Sequence, residues 1–188
     1  MDKTEEEIRE LVSNNLTHVD RLKKMALNLH SVSCIRFWYW RLGNFYKSSD
    51  LHEDIMEMDA LTTSIVISYG RLFGTGEGTT KLKNNIVPPP LEIIHNNIIT
   101  LRNTKYAHHG NHESIEAKVE ISFNGLSLEV IPNLEFGIYL GAPKDWAPLF
   151  EWLDNHMHET ITKHLSFLTK TTGIEWDMPY GDAPRWVT

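Results

Sequence analysis

At 188 residues, with 41% apolar side chains spread along its length, the chain is sized for one domain over residues 1–188 with a substantial core. No uninterrupted apolar run approaches the roughly 18 residues of a membrane span, which argues against a spanning helix. A formal charge of −7 excludes a body coated in basic surface for gripping nucleic acid, and the single Cys34 excludes an internal disulfide or a multi-cysteine metal site.

Cys34 is expected as buried packing in a reducing compartment. The opening Met1-Asp2-Lys3-Thr4-Glu5-Glu6-Glu7 is acidic and lacks the basic-then-apolar layout of a secretory leader, so the expected location is cytoplasmic. Thr4 to Glu7 has capping-box spacing, and Ile8, Leu11, Val12, Leu16, Val19, Leu22, Met25 and Leu29 recur at helical steps. From Cys34 to Tyr46, Phe37, Trp38, Tyr39, Trp40, Leu42 and Phe45 are dense enough for a helix buried on more than one side. Asp50 caps a third predicted helix with Ile55, Met58, Leu61, Ile65 and Tyr69 on one face, broken by the segment 74–80. The stretch 81–90 reads as a linker ending in three prolines.

Leu91, Ile94, Ile98 and Leu101 resume helical spacing, with Gly110 placed as the C-terminal capping glycine. The period then changes. Val119, Ile121 and Phe123 alternate with polar residues before Asn124-Gly125, and Leu126, Leu128 and Val130 alternate after it. A two-residue turn there pairs Phe123 with Leu126, Ile121 with Leu128 and Val119 with Val130 on one face. Leu134, Phe136, Ile138 and Leu140 are candidates for a third strand. After Pro143, Trp146, Leu149, Phe150, Leu153, Met157, Ile161, Leu165 and Leu168 define a long final helix, and the tail from Gly173 has no period and is expected to be loosely ordered. The predicted fold is mainly α: an up-and-down bundle of four to five helices, with a β-hairpin or three-stranded meander (about 117–140) inserted before the last helix and laid on the others.

Charge is uneven along this frame. Residues 111–188 hold twelve acidic and five basic side chains and so carry the whole net charge, whereas Arg71 to His109 holds Arg71, Lys81, Lys83, Arg102 and Lys105 against Glu77 and Glu92. That local excess is either ordinary scatter or a phosphate-attracting patch on an acidic body. Within it, Arg102, Asn103, Lys105, Tyr106, His108 and His109 crowd two turns of helix. RNA is cut without a metal when its 2′-hydroxyl attacks the adjoining phosphate, which needs a base, an acid and positive charge at phosphorus. Histidine and arginine supply these at neutral pH, and a histidine in a last helical turn is held toward its protonated form by the helix field. On a straight helix Arg102 and His108 lie on different faces, while His109 returns to nearly the face of Arg102. Either His109 is the partner, or the helix unwinds ahead of Gly110 and His108 swings back. A phosphate between arginine and histidine bridges the separation along the axis.

Arg102-Asn103, followed after four residues by His108, resembles the Arg, polar residue, four-to-six-residue spacer, His signature of the HEPN superfamily, the higher eukaryotes and prokaryotes nucleotide-binding domains. The Tyr106-Ala107-His108 ending and the place of the motif near the end of a helix, after long apolar and aromatic helices, strengthen the likeness. The resemblance spans the helical regions, roughly 4–110 and 145–170, and only the motif is specific. It implies a metal-independent endoribonuclease, commonly a toxin or antiviral defence component, that needs no cofactor. It further implies a homodimer in which two motifs meet, with RNA as substrate and an antitoxin protein as a further partner. Carried onto this chain, Arg102 stabilises the phosphate, Asn103 orients the site and His108 transfers protons, with His109 in reserve. His109, Lys105 and Tyr106 are the expected substrate contacts.

Other readings weigh against this one. His108, His109 and His112 with His95 offer imidazoles to a transition metal, but no Asp or Glu completes a familiar ligand spacing. His156, His158 and His164 read as solvated positions on the last helix, and Lys23 and Lys24 as helix surface. A competing function is a non-catalytic dimeric module that binds RNA or protein, in which the aromatic helices and the β-segment serve partners and Arg102 forms an interface ion pair.

Overall fold

A computed structural model describes residues 4–74, 80–106, 115–123, 125, 127–136, 142–179 and 181–187, with backbone only at 115–118 and 133–136. Helix α1 (Glu5–Asn14) starts with the expected capping box, in which Glu7 N donates to Thr4 Oγ1 at 3.3 Å and Thr4 N donates to Glu7 Oε2 at 2.7 Å. The helix expected to run on to Leu29 instead breaks at Asn15, whose amide folds back to Leu11 O at 2.8 Å. Helix α2 (Leu16–Gly43) then runs unbroken through the gap at 30–33 between the two segments read separately, one reaching Leu29 and the next starting at Cys34. That gap holds neither glycine nor proline, and Ser31 Oγ bonds back to Leu27 O at 3.0 Å without interrupting the turn. Cys34, expected to be buried, is only half-buried.

Helix α3 (Leu51–Phe73) begins at Asp50, whose Oδ1 accepts from His52 N at 2.7 Å. Together with α2 and α5 (Ala147–Thr172) it encloses the main core of Val32, Ile35, Ile65, Val66, Tyr69, Leu72, Leu149, Phe150 and Leu153. Each fully buried side chain of this kind stabilises the fold by about 1.5–3 kcal/mol. All eight apolar positions read along the last helix, from Trp146 to Leu168, are buried. His164 on the same helix is buried rather than solvated, and its Nε2–H donates to His18 O at 3.0 Å. His156 is half-buried and stacks on Trp152, and His158 is exposed. Among the described residues, no helix is long and apolar enough to cross a membrane.

The stretch 81–90 is part of the packed body rather than a free linker. Leu82 N donates to Leu72 O at 2.8 Å, Asn28 Nδ2 donates to Thr80 O at 2.7 Å, and Val87 is buried between two short 3-10 turns, Asn84–Ile86 and Pro89–Leu91. These turns deliver the chain into α4 (Glu92–Leu101).

Strands β1 (Ile115–Phe123) and β2 (Leu128–Phe136) form the expected antiparallel hairpin, but the register differs by two residues: Phe123 faces Leu128 and Ile121 faces Val130. The connection spans four residues, with Gly125 at φ 92°, instead of two. A shift of two keeps every side chain on its expected face, because the strand period is also two. The third strand is not formed from Leu134 and Phe136, which close β2, and Ile138 and Leu140 lie outside the described residues. Nor is the hairpin's apolar face laid on the helices. Val119, Ile121, Phe123, Leu128 and Val130 are each 59–68% exposed.

The tail is docked, not loose. Gly173 ends α5 in the left-handed region at φ 65°, and Trp176 then anchors to the helix end through Nε1–H to Thr172 Oγ1 at 2.9 Å and N–H to Thr169 Oγ1 at 3.0 Å. Trp186 meets Phe37 edge-on at 5.2 Å, and Arg185 lies 4.8 Å over the ring of Trp40. The tail thereby covers the second apolar side of α2. It also roofs a cavity of about 340 Å³ bordered by Leu29, Ile161, Leu165, Met178 and Pro184. Arg36 joins tail to bundle, with Nη1 on Asp154 Oδ2 and Nη2 on Val187 O at 2.7 Å, while the two charged side chains are only 12% and 11% exposed. Arg36→Met should strand the Asp154 carboxylate and lower stability by about 3 kcal/mol. Denaturant unfolding of the variant measures this, and a change below about 1 kcal/mol contradicts the role given to the pair.

Candidate functional site

Helix α4 turns Ile98 and Leu101 into the core together with His95. The α-helical part ends at Leu101, well short of Gly110, and Arg102–Tyr106 continue as a single π-helical turn. Arg102 N–H is shared between Ile98 O and Ile99 O, and Thr104 Oγ1 takes up Thr100 O at 2.8 Å, so carbonyls freed by the wider turn find partners. Such a turn rotates less per residue than an α-helix. The straight-helix count that set Arg102 and His108 on different faces therefore does not apply across it.

Arg102 crosses α3 at Gly70. A Cβ built on that glycine would sit 2.8 Å from Arg102 Cγ, closer than side chains approach one another, and a tight 3.1 Å from its Cδ. The stem of the arginine thus occupies the space that a side chain at position 70 would fill. Its Nη1–H donates to Asn103 Oδ1 at 2.9 Å, and its Nε–H is buried with no hydrogen-bond partner among the described residues. Arg102 borders a cleft of about 170 Å³ that is also lined by Gly70, Phe73, Gly74, Asn84, Ile99 and Asn103. Lys81 and Lys83, both exposed, stand on the segment that brings in Asn84.

Lys105 and Tyr106 do not line this cleft. Lys105 Nζ lies 4.9 Å over the Tyr106 ring, and both Nζ and the Tyr106 hydroxyl are buried without hydrogen-bond partners among the described residues. Burial lowers the Lys105 pKa, opposed by the nearby Asp59 of α3, and burial with the same carboxylate raises that of Tyr106. The structure thus brings Arg102 and Asn103 together and turns Lys105 and Tyr106 toward Asp59. His108 and His109, like His112 and Gly110, lie outside the described residues.

His95 is committed to the core. The Tyr69 hydroxyl lies 2.7 Å from its Nδ1, Phe73 meets its ring edge-on at 4.6 Å, and Nε2 is buried with no partner among the described residues. Burial lowers its pKa, with Glu92 opposing. The apolar surroundings therefore disfavour the charged form of the ring. Among the described residues no three His, Cys, Asp or Glu side chains gather as a metal site. Gly70, Gly74 and Asn84 were not picked out from the sequence. A glycine inside an apolar helical run signals a close approach, but names no partner for it.

Comparison with protein-family models, curated proteins and solved structures finds no match to this chain.

The Gly70–Arg102 contact is checked by a double-mutant cycle in thermal or denaturant unfolding. In the native background Gly70→Ala should lose about 1 kcal/mol or more, despite the better helix propensity of alanine. In Arg102→Ala the same change should be neutral or stabilising by up to about 1 kcal/mol. Equal effects in both backgrounds contradict the contact. His95 sets a pH dependence. Its folded pKa is below the ordinary value near 6.5, so below that pH the unfolded chain binds the extra proton. Stability should be complete above about pH 6.5 and fall as pH drops toward the folded value, and His95→Gln should flatten that fall. Parallel melting curves for the two proteins contradict this.

Proposed function

We propose that this protein is a metal-independent endoribonuclease of the HEPN type that cuts RNA by attack of the 2′-hydroxyl on the adjoining phosphate. The observation that carries the reading is the half-buried Arg102 guanidinium, held by Asn103 at the edge of an open cleft, with its stem seated on Gly70. A guanidinium positioned in this way needs little reorganisation to receive an anionic, trigonal-bipyramidal phosphorus centre. Exposed Lys81 and Lys83 beside Asn84 favour a polyanion at the same place.

In this mechanism Arg102 neutralises charge on the non-bridging oxygens and Asn103 fixes the guanidinium plane. His108, or His109 in its place, takes the proton of the 2′-hydroxyl and returns a proton to the departing 5′-oxygen. The products are a 2′,3′-cyclic phosphate and a 5′-hydroxyl. Two chains supply the arginine and histidine pairs to one groove, which relieves the axial separation of the two residues within a single motif. A toxin or defence role, regulated by an antitoxin protein, belongs to the same reading. The second reading is the non-catalytic binding module, and the exposed apolar face of the hairpin favours it.

Labelled RNA incubated with the purified protein in EDTA separates the two. The ribonuclease reading expects fragments ending in 2′,3′-cyclic phosphate. It also expects a loss of about 10²–10⁴ in rate for Arg102→Ala and for the His108→Ala, His109→Ala double variant. Intact RNA, or cutting that survives both variants, sinks it, and RNA that is retained but not cut supports the module.

A further inference from the structure

The hairpin leaves a contiguous apolar surface in water. Phe123 opposite Leu128, Ile121 opposite Val130, and Val119 beyond them place five branched or aromatic side chains on one face, each 59–68% exposed. The reverse face, with Glu120, Ser122 and Glu129 beside Ile131, is mostly polar and acidic and is suited to solvent. An isolated two-stranded hairpin is only marginally stable in water, and such a face ordinarily finds cover.

We propose that the occupant is a second copy of the same chain, and that two hairpins pack face to face about a two-fold axis. Three observations favour a copy over an unlike partner. The face is apolar throughout its described side chains, so it is complementary to itself. In that arrangement the acidic reverse faces point away from each other, so a chain of net charge −7 meets its copy without opposing carboxylates at the contact. The size is also sufficient. Five side chains at this exposure present roughly 500 Å², the upper range for a bare monomer patch, and two copies would cover about 1,000 Å², the level a specific interface needs. Pro132 within β2 removes a ladder donor from that strand, which disfavours extending the sheet along its edge in place of stacking faces.

The face shares no residue with the Arg102 cleft, and it is offered as the main contact of the two-chain arrangement that the ribonuclease reading calls for; the readout is mass and not cleavage, so failure of one is distinguishable from failure of the other. Native mass spectrometry and sedimentation equilibrium of the purified full chain should find a two-copy species. The Ile121→Asp, Phe123→Asp double variant should raise its dissociation constant at least about a hundredfold and leave the helical melting temperature unchanged. Phe123→Leu, which keeps an apolar face, and Ser122→Asp on the reverse face should both retain the dimer. A wild-type chain that stays single at every concentration, or a dimer that survives the double variant, overturns the proposal. So does a lower helical melting temperature in that variant, which would mean that the face packs on its own bundle.

Discussion

Helix α4 is short, and its position is dictated by two contacts with α3, one at each end. Near its start, His95 is fixed by the buried hydroxyl of Tyr69 and the ring of Phe73. Just past its end, the Arg102 stem lies where Gly70 has no side chain. The first contact favours an uncharged imidazole inside an apolar core, and the second demands a residue without a Cβ. With both met, the end of α4 cannot slide or roll, and the guanidinium is presented at the mouth of the cleft rather than swinging free. The exposed face of α4 contributes little to this, since a ten-residue helix holds its shape mainly through the face it buries.

Those parts of the fold that follow from local chemistry were legible in the sequence. The Thr4 capping box, the Asp50 cap, the apolar ladder of α5 and the alternation in the two strands each depend on neighbours a few residues away, and each is where the pattern places it. Features that depend on distant partners were not. The aromatic density of 34–46 shows that α2 is apolar on two sides, but not that the second side is covered by Arg185 and Trp186. The tail has no period because it is held by single anchors, Trp176, Trp186 and the carbonyl of Val187, and not by a repeating face. Asn15 gave no clear break in the helical pattern, since the apolar spacing continues across it while the backbone does not.

The candidate site divides along the same line. Arg102 and Asn103 stand out as residue types in a charged cluster, and the structure brings both to one cleft. Lys105 and Tyr106 look equivalent to them in sequence, yet they do not line that cleft, and the Lys105 Nζ and the Tyr106 hydroxyl are buried near Asp59. Side-chain chemistry alone does not separate the two pairs. What separates them is the direction in which each leaves the helix, and that is set by how α4 ends.

The π-turn at Arg102–Tyr106 changes the meaning of distance along the motif. In a regular helix the residue count between two side chains fixes the angle between them. A turn closed by bonds one residue longer breaks that equivalence and advances the frame out of phase with the numbering. Spacers of unequal length can then aim their final residue in the same direction, provided the extra residue is absorbed in such a widened turn. A residue count that starts at Arg102 and crosses the turn therefore does not return the angle that a regular helix would give, whatever the intervening side chains are.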